Sequence, residues 1–244
     1  MRFSRPLSRW LLDSGDFNMS LEKPFLLYGW YKSSATGRLR IALRYKGIPY
    51  EYKSVRLMDG EQHKPAHMAL NPSGTVPVLI DLRPEAEGTS FPIIQSIAAL
   101  EYLEEVFPGS PALLPSKPLE RAKVRSLVGV IASDTHPRAH RTIVKDIAAF
   151  GESPGDWMIK YLTKGLTAYE TIAKSTAGKF SVGDQMSMAD VCLLPCIWNA
   201  EKANVDLEQF PILTRIVANM NELEAVKKAH WSVQPDTPAD MGWY

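Results

Sequence analysis

Cysteine is nearly absent from this chain: Cys192 and Cys196 are the only two among 244 residues. Two thiols do not make a disulfide framework, so the fold must rest on buried apolar surface, and a reducing, cytoplasmic setting is expected. An excess of charge is missing too. Lys and Arg (28) balance Asp and Glu (27) to a formal net charge of +1, which gives no electrostatic drive toward nucleic acid or a membrane surface. No apolar run approaches the roughly 20 residues that span a bilayer. Histidine is sparse, at five. The pair at helical spacing, His136 and His140, lacks the Glu that follows the first His of a zinc helix and brackets Pro137, so no metal is expected. There is no internal repeat. What is present is an ordinary globular composition, 45% hydrophobic and 23% charged, enough for one large domain or two small ones.

The patterns along the chain separate into two parts. Residues 25–30 read as a strand, 39–46 as a helix closed by Gly47, 52–57 as a second strand, and 78–82 with 89–93 as a hairpin. Residues 96–107 carry Ile97, Leu100, Leu103 and Val106 at helix spacing. This β-α-β-β-β-α order is thioredoxin-like. Residues 108–118 hold four prolines and mark a boundary. Helical signals dominate beyond it: 119–150 with a break at Pro137, 157–174, 187–202, and a helix opened by Pro211, before an irregular tail from Trp231. The chain thus divides into an extension (1–22), a thioredoxin-like unit (23–107), a linker (108–118) and a helical unit (119–244). The extension bears Arg2, Arg5 and Arg9 among serines, as a mitochondrial presequence would. Asp13 and Asp16 and the internal Met19 favour a tail or an upstream start instead.

The most informative stretch is Ser33-Ser34-Ala35-Thr36-Gly37-Arg38-Leu39-Arg40, between the first strand and the first helix. A helix N-terminus carries unpaired N–H groups and about half a positive charge. Two hydroxyls there suit either an ordinary N-cap or an anion site, and a thiolate is such an anion. Both cysteines are far away in sequence, so the thiol would come from a cofactor. Asn71-Pro72-Ser73-Gly74-Thr75-Val76-Pro77 is a turn running into a strand. A cis bond at Pro77 would aim the Val76 N–H and C=O at another extended backbone, whereas a trans bond at a sheet edge is the commoner arrangement. Gln95-Ser96 opens a helix and suits a cap or a carboxylate. Ser187-x-x-Asp190 is an acidic capping box. Arg40 and Arg44 share a helix face and read as a solvated stripe, while Arg38 and Lys32 lie near the serines. Cys192 and Cys196 read as small core residues.

Together these pieces resemble the glutathione transferase superfamily, and most closely its zeta class, which includes maleylacetoacetate isomerase. The resemblance runs from about Pro24 to Asp240. It is carried by Tyr28-x-x-x-Lys32-Ser33-Ser34, Arg38-x-Arg40-Ile41-Ala42-Leu43, Lys46-Gly47-Ile48, Leu70-Asn71-Pro72 with Val76-Pro77, Gln95-Ser96, Val182-Gly183-Asp184 with Met188-Ala189-Asp190, and Gln234-Pro235-Asp236-Thr237-Pro238. It implies an α/β plus all-α fold, with a thioredoxin-like domain that holds glutathione and an all-helical C-terminal domain. It implies a cis Pro77 with the Val76 backbone pairing to the cysteinyl part of glutathione. Ser33 would support the thiolate, and Ser34, the amides near it at Ala35 and the Arg38 side would complete the site. Gln95 and Ser96 would hold the γ-glutamyl end and Gln62 the glycyl end. His136 and His140 stand where the class carries amides near glutathione. Lys32, Arg38 and Lys202 become clamps for a small anionic electrophile, and a homodimer is implied.

The chain departs from that class at His136 and His140, at Lys202, which replaces another basic residue, at Ala35, where a Cys is usual, and at Gly37, where an aromatic is usual. The implied reaction is glutathione-dependent cis–trans isomerisation of maleylacetoacetate to fumarylacetoacetate in tyrosine and phenylalanine catabolism. Thiolate addition would turn an alkene carbon sp³, allow rotation and then be reversed. The alternatives are a general transferase acting on electrophiles such as α-haloacids, and a weakly catalytic glutathione-binding module.

Overall fold

The structure, a computed structural model, describes residues 23–83, 91–109 and 111–240. The readings of residues 1–22, of positions 89–90 in the hairpin and of the last four residues lie outside the described residues.

Four short strands form one sheet in the order β2-β1-β3-β4. β1 (Phe25–Gly29) is central and mostly buried. β2 (Tyr50–Ser54) runs parallel to it, pairing Leu27 with Tyr52. A parallel neighbour needs a crossover, and α1 (Ser34–Tyr45) supplies it. β3 (Val78–Asp81) runs antiparallel to β1, with Tyr28 opposite Val78, and β4 (Pro92–Ile94) pairs with β3, with Ile94 opposite Val78. The short helix α2 (Pro65–Leu70) precedes β3, and α3 (Ser96–Val106) follows β4. This register brings three chain segments to one end of the sheet: the β1–α1 turn, Val76-Pro77 and Gln95-Ser96.

The helical part contains α4 (Pro118–Gly129), α5 (Arg141–Ala149), α6 (Pro154–Ala173), α7 (Met188–Lys202), α8 (Pro211–Asn221) and α9 (Glu224–Ala229), then a 3-10 turn at Trp231–Val233. Among the described residues, no helix is long and apolar enough to cross a membrane. The buried helix α7 starts at the expected capping box. The Ser187 N–H and hydroxyl both donate to Asp190 Oδ2 (2.7 and 2.8 Å), and the Ser181 N–H donates to Oδ1 (2.8 Å). Cys192 and Cys196 lie in this core. One apolar cluster joins the halves, from Phe25, Leu27 and Leu39 to Tyr169, Leu193 and Ile216. The proline-rich stretch is anchored in it through buried Leu113 and Leu114.

The break expected at Pro137 within 119–150 is present, while two other readings need correction. After α4 the backbone widens into a π turn, Val130–Thr135, where the His136 N–H reaches back five residues to the Ile131 carbonyl (2.8 Å). Pro137 follows, with no N–H to continue a ladder and a ring that displaces the carbonyl four residues back, and the helix restarts only at His140. Arg40 is not solvated: it is fully buried. A helix packed against α3, α7 and α9 keeps only a narrow wet strip, and here Arg44 occupies it. The two six-residue helices α2 and α9 have too few turns to show a period, and the sequence reading passed over both.

Candidate active site

Ser33 is the N-cap of α1. Its backbone is extended and its Oγ accepts the Thr36 N–H (3.2 Å). That bond uses a lone pair and leaves the hydroxyl proton free to donate outward. The cap and the anion site are therefore compatible roles for one hydroxyl. The Ser34 and Ala35 N–H groups, in the first turn, have no acceptor within the helix, and Ala35 is half-exposed beside them.

Ser34 turns the other way, into the helical part. Its Oγ lies 3.1 Å from His136 Nδ1. Burial, then the Arg38 charge and then His140, push the His136 pKa down to about 3, so the ring is neutral near pH 7. A neutral ring facing a hydroxyl proton carries its own proton on Nε2. The π turn makes this contact: it fixes Thr135 through its hydroxyl on the Val130 carbonyl (2.6 Å) and delivers His136 to the end of α1. His140 stands apart from that contact. Its ring centroid is 5.9 Å from that of His136, and its Nδ1 accepts the Thr142 N–H at the start of α5.

Arg38 is buried and donates from Nη1 to Ser96 Oγ (3.0 Å), which ties α1 to α3. Its Nε is buried without a partner among the described residues. Ser96 is the first residue of α3 and Gln95 occupies the cap. Gln95 is exposed, makes no side-chain cap bond and takes a left-handed backbone (φ 69°) that non-glycine residues rarely adopt. Val76-Pro77 is cis. Side chains fix the loop before it: Asn71 Nδ2 donates to the Thr75 carbonyl (2.8 Å), His67 Nε2 meets the same oxygen (2.8 Å), and Asn71 Oδ1 accepts the Ser73 N–H (3.0 Å). Gln62 sits in a 3-10 turn whose next residue, His63, packs on Gly74 of this loop, and Gln62 Oε1 is buried without a partner among the described residues.

The other flank is cationic. Lys32 lies over the Tyr31 ring (5.5 Å) and Lys202 over the Trp231 ring (4.4 Å). Much of the Lys202 side chain is open to solvent, yet packing around its ammonium, then Lys32 and Arg40, lower its pKa to about 8, against a smaller opposing pull from Glu201. An ammonium depressed by a neighbouring cation gains from an anion placed between them. The chain's own thiols are unsuited to nucleophilic work, since burial pushes Cys192 up to about 11 and Cys196 to about 12.

The structure therefore brings Ser33, Ser34, Ala35, Arg38, Val76, Pro77, Gln95, Ser96 and His136 to one end of the sheet, with Gln62 adjoining and Lys32 and Lys202 on the flank. His140 adjoins the group through its ring contact with His136. The space at Gly37 is also accounted for. A Cβ there would lie 3.1 Å from the Trp198 ring and 3.2 Å from Pro195, so α7 fills the room that an aromatic at this position would take. Sequence reasoning missed two supports, Arg40 and Asp236. The tail block around Asp236 was a signal for one; a buried arginine held by carbonyls leaves none.

A sheet of this order carrying a hydroxyl-capped helix and a cis Pro, followed by a helical layer, defines a class, and comparison with known proteins supplies the same one. Residues 33–106 match the family model for the glutathione S-transferase N-terminal domain, and residues 140–230 match that for the C-terminal domain. The chain belongs to the glutathione S-transferase family. It is 49% identical over 218 residues to a maleylacetoacetate isomerase of Aspergillus fumigatus, covering 88% of this chain and 94% of that one. The holo structure of a maleyl pyruvate isomerase, a bacterial zeta-class glutathione S-transferase, superposes with a TM-score of 0.80 at 36% identity, covering 87% of this chain and all of the other. A maleylacetoacetate isomerase from Anaeromyxobacter dehalogenans 2CP-1, with dicarboxyethyl glutathione and citrate bound in the active site, superposes with a TM-score of 0.81 at 35% identity, covering 91% and 97%.

Proposed function

We propose that the chain catalyses the glutathione-dependent cis–trans isomerisation of maleylacetoacetate to fumarylacetoacetate, and that it works as a homodimer. The observation that carries this is the Ser33 hydroxyl, which caps α1 through a lone pair and keeps its proton for an anion at the helix N-terminus. The residues present fit glutathione: the orphaned Arg38 Nε and Gln62 Oε1 are a donor and an acceptor held ready for a ligand that carries carboxylates and amides. Bound glutathione supplies the nucleophilic sulfur, and its addition to the alkene is what frees the C–C bond to rotate.

The chain's own residues do the rest. Ser33 and the first-turn N–H groups of α1 favour the ionised thiol, each pKa unit lost by the thiol being worth about 1.4 kcal/mol. Val76 would offer its backbone at the cis bond, Gln62 would hold the glycyl end, and Gln95 with Ser96 would hold the γ-glutamyl end. Neutral His136 shares a hydrogen bond with the Ser34 hydroxyl and so orients it without adding charge. Lys32 and Lys202 hold the substrate's carboxylates away from the sulfur. A relative whose site binds glutathione bearing a dicarboxyethyl group supports this division. Ala35 brings no acid–base group to the site, which leaves the thiolate in the charge of Ser33.

The test is conversion of maleylacetone with and without glutathione. Turnover should require glutathione, and Ser33→Ala should lower kcat by roughly 100-fold, the usual cost of losing one preorganised donor. An unchanged kcat in Ser33→Ala refutes the assignment. Conjugation or dehalogenation of α-haloacids without isomerisation would instead assign the same site to the general transferase.

A further inference from the structure

The tail block Gln234-Pro235-Asp236-Thr237-Pro238 has no part in the chemistry above, yet its side chains are committed. Gln234 Nε2 donates to the carbonyls of Lys228 (3.1 Å) and His230 (2.6 Å), and the Thr237 hydroxyl donates to the Trp231 carbonyl (2.6 Å). These bonds fold the tail back on α9, and Asp236 makes its own contacts with the sheet. One oxygen of Asp236, Oδ2, accepts three hydrogen bonds: from the Tyr31 N–H (3.1 Å), the Tyr52 hydroxyl (3.1 Å) and the Ser54 hydroxyl (2.9 Å).

Tyr31 belongs to the tight turn Trp30-Tyr31-Lys32-Ser33, closed by the Ser33 N–H on the Trp30 carbonyl (2.9 Å). The turn's outward carbonyls are held as well. Arg40 donates from Nη1 to Trp30 (3.4 Å) and from Nη2 to Tyr31 (3.1 Å), while its Nε reaches the Ala229 carbonyl (3.0 Å). The buried guanidinium also meets the Tyr52 side chain, and Asp236, bonded to that same tyrosine, is the carboxylate whose charge it feels. Arg40 thus holds the turn by its carbonyls and Asp236 by its Tyr31 N–H, and the turn's last residue is the hydroxyl that caps α1.

We propose that Asp236 is a positioning residue for the Ser33 site: the C-terminal tail fixes the turn that sets the Ser33 hydroxyl and the Lys32 ammonium. This rests on the reading of Ser33 given above. A tail that merely docks would add stability without governing the turn.

Two readouts separate these cases. In the ligand-free protein, amide hydrogen exchange at residues 31–33 reports the turn directly. In the glutathione complex, ultraviolet titration reports the pKa of the bound thiol. Asp236→Asn keeps the volume and one acceptor but loses the charge that three donors face. It should speed exchange at residues 31–33 by about tenfold and raise the thiol pKa by about one unit. Thr237→Val, which loosens the tail elsewhere, should lower the melting temperature and leave both readouts unmoved. Asp236→Asn with a lowered melting temperature but unchanged exchange and thiol pKa overturns the proposal, as does Thr237→Val moving both readouts equally. If the wild type shows no depressed thiol pKa, the Ser33 reading fails, and the exchange measurement alone decides whether Asp236 holds the turn.

Discussion

Gly165, in the middle of α6, gives the sharpest test of how the helical part sets the site. Glycine in a helix interior is normally a weakness, and alanine there gains about 0.5–1 kcal/mol. Here the sign should reverse. A Cβ at Gly165 would overlap Thr135 Oγ1 and lie 2.7 Å from Thr135 Cγ2 and 2.8 Å from its Cβ. Thr135 has no easy retreat, because it is buried and its hydroxyl is bonded to the Val130 carbonyl in the π turn. Overpacking of this kind costs about 1–3 kcal/mol. Set against the propensity gain, Gly165→Ala should lose about 1–2 kcal/mol, a fall of about 2–8 °C in melting temperature for a chain of this size. Gly129 is the control: it has ordinary helical dihedrals, and a Cβ there meets nothing within 4 Å. Gly129→Ala should raise the melting temperature by about 1–3 °C. The assay is calorimetry or circular dichroism on both variants at one pH, with turnover alongside, since displacing Thr135 also moves His136 from Ser34. A Gly165→Ala protein as stable as Gly129→Ala would refute the packing argument.

Asp190→Ala should cost roughly 3–5 kcal/mol in denaturant melts, because it strands the buried Ser181 and Ser187 N–H groups and removes the cap of α7; a loss under about 1 kcal/mol would contradict that. Lys202→Met keeps the stem against Trp231 and removes the charge. It should raise KM for a dicarboxylate substrate about tenfold and leave KM for glutathione alone, and an equal rise in both would count against the clamp. His136 is held down to about 3 and His230 to about 4, in each case first by burial and then by neighbouring charge. Between about pH 6.5, the unfolded value, and pH 4 the unfolded chain binds protons that the folded one does not. The stability these rings contribute is complete above that window and is lost as pH falls through it. The melting temperature should therefore drop from pH 7 to pH 5, and His230→Gln should flatten the drop.

What was legible in the sequence was what local chemistry dictates. A hydroxyl before an amphipathic run marks a cap whatever lies around it, and Ser33 and Ser187 are where the residues put them. The Ser187–Asp190 box needed only three residues of separation. The cationic character of Lys32 and Lys202 was visible, and the depression of Lys202 by Lys32 follows once a turn and a helix end meet. Features set by the second layer were not legible. Arg40 has the spacing of a surface residue and is buried where α9 and the β1–α1 turn offer carbonyls to its guanidinium. The π turn is announced by Pro137 as a break, but the direction in which it delivers His136 depends on Thr135 against Gly165. Trp198 fills the space beside Gly37 from a helix some 160 residues on, a pairing that no local pattern encodes.

The central claim is that the Ser33 hydroxyl, at the start of α1, holds a borrowed sulfur as its anion. Ultraviolet titration of glutathione bound to the wild type and to Ser33→Ala tests it most directly. The account predicts a bound thiol that ionises well below its free value of about 8.5 in the wild type and returns to about that value in the variant. The same pKa in both proteins, or a wild-type value no lower than that of free glutathione, would contradict it.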